Sequence, residues 1–384
     1  MPEVTTFPPA VAITGGGSRA FAIGDSIVAG GYANSGTLAN VDINGRAWLA
    51  WATLYSDGKI FHAGVSATAG YTTAQILATH VPVAIAAKPS FCVVLGGTND
   101  MLQAIPLATT AANLTAIYNA LLGAGVTPVL ATIPPRNNPI GNNLLSISQI
   151  NAWITRYAQN NNLPLVDFHG VLVDPATGQY LSTLFLDDYH PNAAGAKVMG
   201  AALQTALSSY LPPFSPFLAE YNSDPSLMMN NALMLTASGG IPTNWVISAG
   251  GGSITNPAAT APGVGKLMTV TRTTSSTTGQ TSAITLVPGH RVLVAFRVQS
   301  TVKALGGVAT VRFINAGVTQ IFQSLDAWTE DIPAASVWAF EFVVPAGLSS
   351  NTLYAQVTAG TIDNSVASIG QFTVVDLTAQ GIAA

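Results

Sequence analysis

Four short stretches of the chain place a hydroxyl, an imidazole, carboxylates and amide donors at the ends of apolar runs. Ser26 closes the run from Arg19 to Ile23 within Gly24-Asp25-Ser26-Ile27. Gly64 follows Lys59-Ile60-Phe61-His62, and Asn99 follows Phe91-Cys92-Val93-Val94-Leu95 within Gly96-Gly97-Thr98-Asn99-Asp100. Asp187 and His190 share the loop Leu186-Asp187-Asp188-Tyr189-His190-Pro191-Asn192. Acyl transfer at neutral pH needs a nucleophile, a base in hydrogen-bond reach, a group that holds the base in one tautomer, and donors aimed at the developing oxyanion. In that scheme Ser26 attacks, His190 takes its proton, and Asp187, three residues before the histidine, bonds the imidazole Nδ1–H. Asp188 competes for the last role, but with one residue between it and His190 its carboxylate is expected to point elsewhere. The oxyanion donors would be the backbone N–H groups of Ser26 and Gly64 and the side-chain amide of Asn99, glycine at 64 allowing close backbone approach. Taken alone, Gly24-Asp25-Ser26 reads as an ordinary turn; three further strand ends turn the reading towards a nucleophile.

These groups can meet only if their runs lie side by side. Strands are expected near 19–23, 59–62, 91–95, 128–133 and 163–168, separated by helices near 45–56, 72–87, 108–123, 146–160 and 193–209. That alternation implies a parallel sheet with helices on both faces, whose chemistry collects at the carboxyl ends of its strands. Gly15-Gly16-Gly17 precedes a strand, so it is no phosphate loop. Leu211-Pro212-Pro213 marks a boundary, giving a lead-in at 1–18, a catalytic domain at 19–212 and a further domain at 214–384. In the last, helical spacing gives way to short alternating segments: 227–235, 245–248, 266–271, 282–287, 291–298, 309–313, 337–344, 353–357 and 370–375. Such a set of about nine strands suits a two-sheet sandwich or jelly roll.

The blocks Gly24-Asp25-Ser26-Ile27, Gly64, Gly96-Gly97-Thr98-Asn99-Asp100 and Asp187 to Asn192 together resemble the SGNH/GDSL hydrolase family over about residues 19–210. The resemblance implies a flavodoxin-like α/β/α fold and esterase or lipase chemistry without metal or cofactor. It assigns Ser26 as nucleophile, Gly64 and Asn99 as oxyanion donors, and Asp187 and His190 as the acid–histidine pair. Two departures bear on the second loop: His62 stands where many relatives have asparagine, and Ala67 where they have a second glycine. His62 is a candidate for the substrate pocket or a structural histidine, and Arg136, at another strand end, is a candidate substrate contact or a plain loop arginine. His80, His169 and His290 have no evident partner. Asn230-Asn231-Ala232-Leu233, Gly239-Gly240 and Ile241 to Trp245 resemble carbohydrate-binding jelly rolls, making Trp245 and Trp328 candidates for stacking on sugars, with core packing as the alternative.

Composition narrows the partners. Charged residues make up 8% of the 384 and hydrophobic residues 49%, against roughly 25% charged in an average globular chain. A formal charge of −4 without a Lys/Arg cluster argues against nucleic acid. Cys92, the one cysteine, reads as a buried thiol. No signal peptide or membrane span is evident, so an extracellular or virion-associated location, for example on a phage tail, would need either a leader trimmed from this sequence or another route of export, such as assembly into a virion. The expected partner is an acylated polysaccharide or small ester; homo-oligomerisation is an open expectation, and no dense acidic cluster supports calcium. The leading expectation is a polysaccharide deacetylase. Its rivals are a longer-chain lipolytic esterase or thioesterase, and a glycan-binding or virion structural protein whose hydrolase half is vestigial.

Overall fold

The expected alternation of apolar runs and helices becomes a five-stranded parallel sheet in a computed structural model, which describes residues 18–33, 42–137, 142–213, 218–260, 262–301, 309–316, 321–334, 336–360 and 363–382. Its strands are β1 (Ser18–Gly24), β2 (Ile60–Ala67), β3 (Phe91–Leu95), β4 (Thr127–Ala131) and β5 (Leu165–Val166), in the order β2-β1-β3-β4-β5. This is the flavodoxin-like order, whose switch point lies between β1 and β3. The intervening helices are α1 (Ser26–Ala29), α2 (Trp48–Tyr55), α3 (Thr73–Ala87), α4 (Thr98–Leu102), α5 (Leu107–Gly123), α6 (Asn142–Asn160), α7 (Phe168–Leu172) and α8 (Ala193–Leu207).

Burial explains the elements. All five residues of β3 are buried, as an inner strand covered on both faces requires, and burial pushes the Cys92 thiol well above its usual range. Helix α2 is apolar on every side, and Trp48, Leu49, Trp51 and Leu54 are all buried. Helix α3 starts where the Thr72 N–H donates to Gln75 Oε1 at 2.9 Å. Strand β5 is shorter than expected. Pro164 brings no N–H to the ladder, and Asp167 instead caps α7, its Oδ1 accepting from the Gly170 N–H at 3.0 Å. Strand β2 runs past the expected end at 62 as far as Ala67, through a bulge at which the register steps from Ala20 opposite His62 to Phe21 opposite Gly64.

The described residues fall into two compact units, one of residues up to 30, 46–52 and 59–213, the other of 31–45, 53–58 and 214 onward. The second is a β sandwich. One sheet orders the strands 245–249, 277–281, 352–359, 309–314, 321–328, 42–43 and 32–33, with 284–285 added beside 352–359; the other orders 253–255, 267–271, 366–376, 291–301 and 337–343. Pairing is antiparallel except where Ser324 and Leu325 lie parallel to Asp42 and Ile43. Phe313 of the first sheet meets Phe296, Phe340 and Phe372 of the second, ring centres 4.9–6.2 Å apart, so the sheets share one aromatic core. The expected strand at 227–235 is a run of turns: Asn231 and Met234 take positive φ, which an extended chain cannot follow. Among the described residues no helix is long and apolar enough to cross a membrane.

Candidate active site

Ser26 is carried to the switch point because β1 ends at Gly24 and α1 begins at once. Any Cβ at Gly24 would collide with the Leu95 carbonyl of β3, so the chain can pass there only as glycine. Asp25 then caps α1, its Oδ1 accepting from the Ile27 N–H at 3.0 Å. Trp48 Nε1 donates to the Ile27 carbonyl at 3.1 Å, bracing the turn from α2.

His190 Nε2 lies 2.9 Å from Ser26 Oγ, and His190 Nδ1 lies 2.8 Å from Asp187 Oδ2 and 3.0 Å from Oδ1. An ionised carboxylate only accepts, so Nδ1 carries the proton and Nε2 is left to accept from the serine hydroxyl. Burial alone would raise the Asp187 carboxyl, but hydrogen bonds from the His190 ring and from the Tyr189 and His190 N–H groups hold it at about 2, against an ordinary 3.8. The Asp187 carboxyl is therefore ionised at neutral pH. Asp188 turns away towards Asn137. Asn192 fixes the far end of the loop: its Oδ1 caps α8 by accepting from the Gly195 N–H at 3.0 Å, and its Nδ2 donates to Thr183 O at 2.9 Å.

Asn99 sits in the first turn of α4, after β3, and reaches the same strand-end cluster. Its Nδ2 donates to Tyr71 O at 3.0 Å and to Asp25 Oδ2 at 3.3 Å. Asp25 is fully buried, and burial pushes its carboxyl up to about 6, opposed by the Ile27 N–H and His190 and reinforced by Asp100. Asp100 itself is absorbed by α3, accepting from the Thr73 N–H at 2.8 Å and from the Thr73 and Thr110 hydroxyls.

The other expected residues are distributed differently. Gly64 occupies the bulge of β2, φ +114°, and a Cβ there would press on the Phe21 ring; it lies three residues short of the strand end, where Ala67 is the residue paired with Gly24. His62 is buried opposite Ala20, and burial holds its pKa down at about 4, so it is a neutral imidazole within the sheet. Arg136 engages Tyr189. Trp245 and Trp328 are 4% and 0% exposed, so neither ring offers a face to a sugar. Trp245 packs edge-on to Phe372, and Trp328 Nε1 donates to Ile43 O at 2.9 Å. Two histidines gain partners that the sequence did not suggest: His80 Nδ1 lies 2.8 Å from Ser66 Oγ with its ring 5.3 Å from Tyr71, and His290 Nδ1 lies 2.7 Å from Asp376 Oδ2. His169 donates its backbone N–H to Thr132 Oγ1 at 2.9 Å. Tyr71 was not foreseen because it acts through its carbonyl, which any residue carries. Among the described residues no group of three or more His, Cys, Asp or Glu is placed to hold a metal.

Residues 22–198 match the model of the GDSL-like lipase/acylhydrolase family. No curated protein matches the chain. Among solved structures it is similar to acetylxylan esterase Axe2 from Geobacillus stearothermophilus, at 20% identity over 50% of this chain and 95% of that one with a TM-score of 0.43. It is also similar to a GDSL-like lipase from Bacteroides thetaiotaomicron, at 19% identity over 50% and 89% with a TM-score of 0.40. A lipolytic G-D-S-L family protein from Veillonella parvula shows 17% identity over 50% and 98%, with a TM-score of 0.41. Likenesses of this size bear on neither substrate nor mechanism.

Proposed function

We propose, from the match of residues 22–198 to the model of the GDSL-like lipase/acylhydrolase family and from the geometry of the site, that the chain is a serine esterase working through Ser26, His190 and Asp187, and that it removes short acyl groups, acetyl foremost, from a polysaccharide. The unbroken chain of hydrogen bonds from Ser26 Oγ through the His190 ring to the Asp187 carboxylate carries this reading. His190 Nε2 takes the proton as Oγ bonds to the acyl carbon, and the tetrahedral oxyanion rests on the Ser26 N–H, the Asn99 amide and a backbone N–H from the end of β2. The C–O bond to the alcohol breaks as Nε2–H returns the proton to the leaving oxygen. Water, deprotonated by the same nitrogen, then attacks the acyl-serine and frees the carboxylic acid and Ser26.

The finer claim, a short acyl group on a glycan, is supported by a surface poor in charge and by the β sandwich in the same chain, which we assign to holding the enzyme on its polymer. The same composition favours a place outside the cell or on a virion. Hydrolysis of p-nitrophenyl esters of rising chain length, together with acetate release from acetylated polysaccharides, tests it. A rate peak at acetyl or butyryl with acetate release is expected; a peak at eight carbons or more assigns the enzyme to lipid-like esters instead.

A further inference from the structure

The acid–histidine turn is the open side of the site, with the His190 and Asp187 side chains 28% and 53% exposed. Its own bonds fix its shape: the Leu186 N–H donates to His190 O at 2.8 Å, and Asp187 Oδ1 accepts from the Tyr189 and His190 N–H groups, both at 2.9 Å. None of these fixes where the turn stands relative to Ser26. We propose that Arg136 and Asn137, at the tip of a stiff arm leaving β4, are positioning residues that hold this turn in register with the nucleophile; the inference rests on the hydrolase reading above.

The arm is rigid for identifiable reasons. Asn151 of α6 grips Ile133 twice, Oδ1 accepting from its N–H at 2.7 Å and Nδ2 donating to its carbonyl at 3.0 Å. Thr132 Oγ1 donates to Asp167 Oδ1 at 2.8 Å, and Pro134-Pro135 removes φ freedom from the next two residues. The tip then seizes the two residues that separate Asp187 from His190. Asn137 donates its N–H to Asp188 O at 3.1 Å and its Nδ2 to Asp188 Oδ1 at 2.9 Å. Arg136 Nη2 donates to Tyr189 Oη at 3.0 Å, and the guanidinium carbon lies 4.5 Å from the centre of the Tyr189 ring. A misplacement of about 1 Å at a catalytic group costs on the order of 100-fold in rate, and the arm ties the turn to the strand next to β3.

In the 384-residue chain, Asn137→Ala and Arg136→Ala should each lower kcat on p-nitrophenyl acetate by about 10- to 100-fold while KM changes less than about 2-fold. The downfield proton resonance of His190 Nδ1–H should shift or broaden in both variants. Asp188→Asn, whose amide oxygen still accepts from Asn137, should keep both. An unchanged kcat and resonance, or a raised KM at unchanged kcat, overturns the proposal, the latter because it would make Arg136 a substrate contact. Should Arg136→Ala fail to fold, Asn137→Ala, which removes the exposed side-chain bond to Asp188 Oδ1, and Asn137→Pro, which removes the backbone N–H bond to Asp188 O as well, decide together. An inactive wild type would instead overturn the hydrolase reading, and the resonance would still report on the clamp.

Discussion

The Asn99 amide makes two hydrogen bonds, to Tyr71 O at 3.0 Å and to Asp25 Oδ2 at 3.3 Å. The second is longer than an ordinary N–H···O bond, so it is the one an oxyanion would displace. Asn99→Ala should lower kcat by two to three orders of magnitude, roughly 3–4 kcal/mol, with little loss of stability; steady-state kinetics beside a thermal melt checks both. Asp25 carries a pH dependence of its own. Its carboxyl is raised from 3.8 to about 6, so its contribution to stability is complete below about pH 4 and is lost as pH rises through 6. Asp25→Asn should therefore gain on the wild type between pH 5 and pH 8, by about 1–1.5 kcal/mol in urea unfolding; an equal difference at the two pH values would contradict it. That Ser26, His190 and Asp187 lie in one hydrogen-bonded row, with Asn99 at the neighbouring strand end, was legible in the sequence because the expected roles each demand one side-chain type at a strand end. Asp25 and Tyr71 were not legible as Asn99's partners, since that pairing depends on where two loops fold.

Strand existence was legible where both faces are buried, as at β3, and boundaries failed where a local device intervened: the bulge at Gly64, the proline before β5, the positive φ of Asn231 and Met234. The strand 277–281 escaped notice because its inward side chains are Thr277 and Thr281, buried but polar. Two further strands, 32–33 and 42–43, could not be read from pattern at all, for they belong to the sheet of the second unit while lying in the first half of the chain. Ile43 is wholly buried there and its carbonyl takes the Trp328 Nε1–H, while Asp57 pairs at 2.7 Å with the buried Arg297. Segment 214–384 expressed alone lacks both short strands and Asp57. Arg297 keeps Gln371 but loses its carboxylate, and without strand 42–43 the strand 321–328 becomes an open sheet edge, so the isolated segment should melt below the full chain or aggregate; an isolated segment that stays monomeric with an unchanged melting temperature would contradict this membership.

At the scale of the whole molecule, a flavodoxin-like sheet gathers one serine, one imidazole and one carboxylate from distant parts of the chain, with Ser26 and His190 164 residues apart and in hydrogen-bond contact. The tryptophans of the β sandwich, Trp245, Trp328 and Trp338, are buried in its core, so the proposed attachment to a glycan would have to use other surfaces of that unit. Every part of the proposed chemistry passes through one oxygen atom. The most direct measurement is therefore hydrolysis of p-nitrophenyl acetate by the 384-residue chain and by Ser26→Ala, each shown folded by circular dichroism. A wild type that turns over and a variant slower by three orders of magnitude or more, as expected when the nucleophile of such a triad is removed, is the predicted result; a Ser26→Ala protein that hydrolyses the ester as fast as the wild type would contradict it.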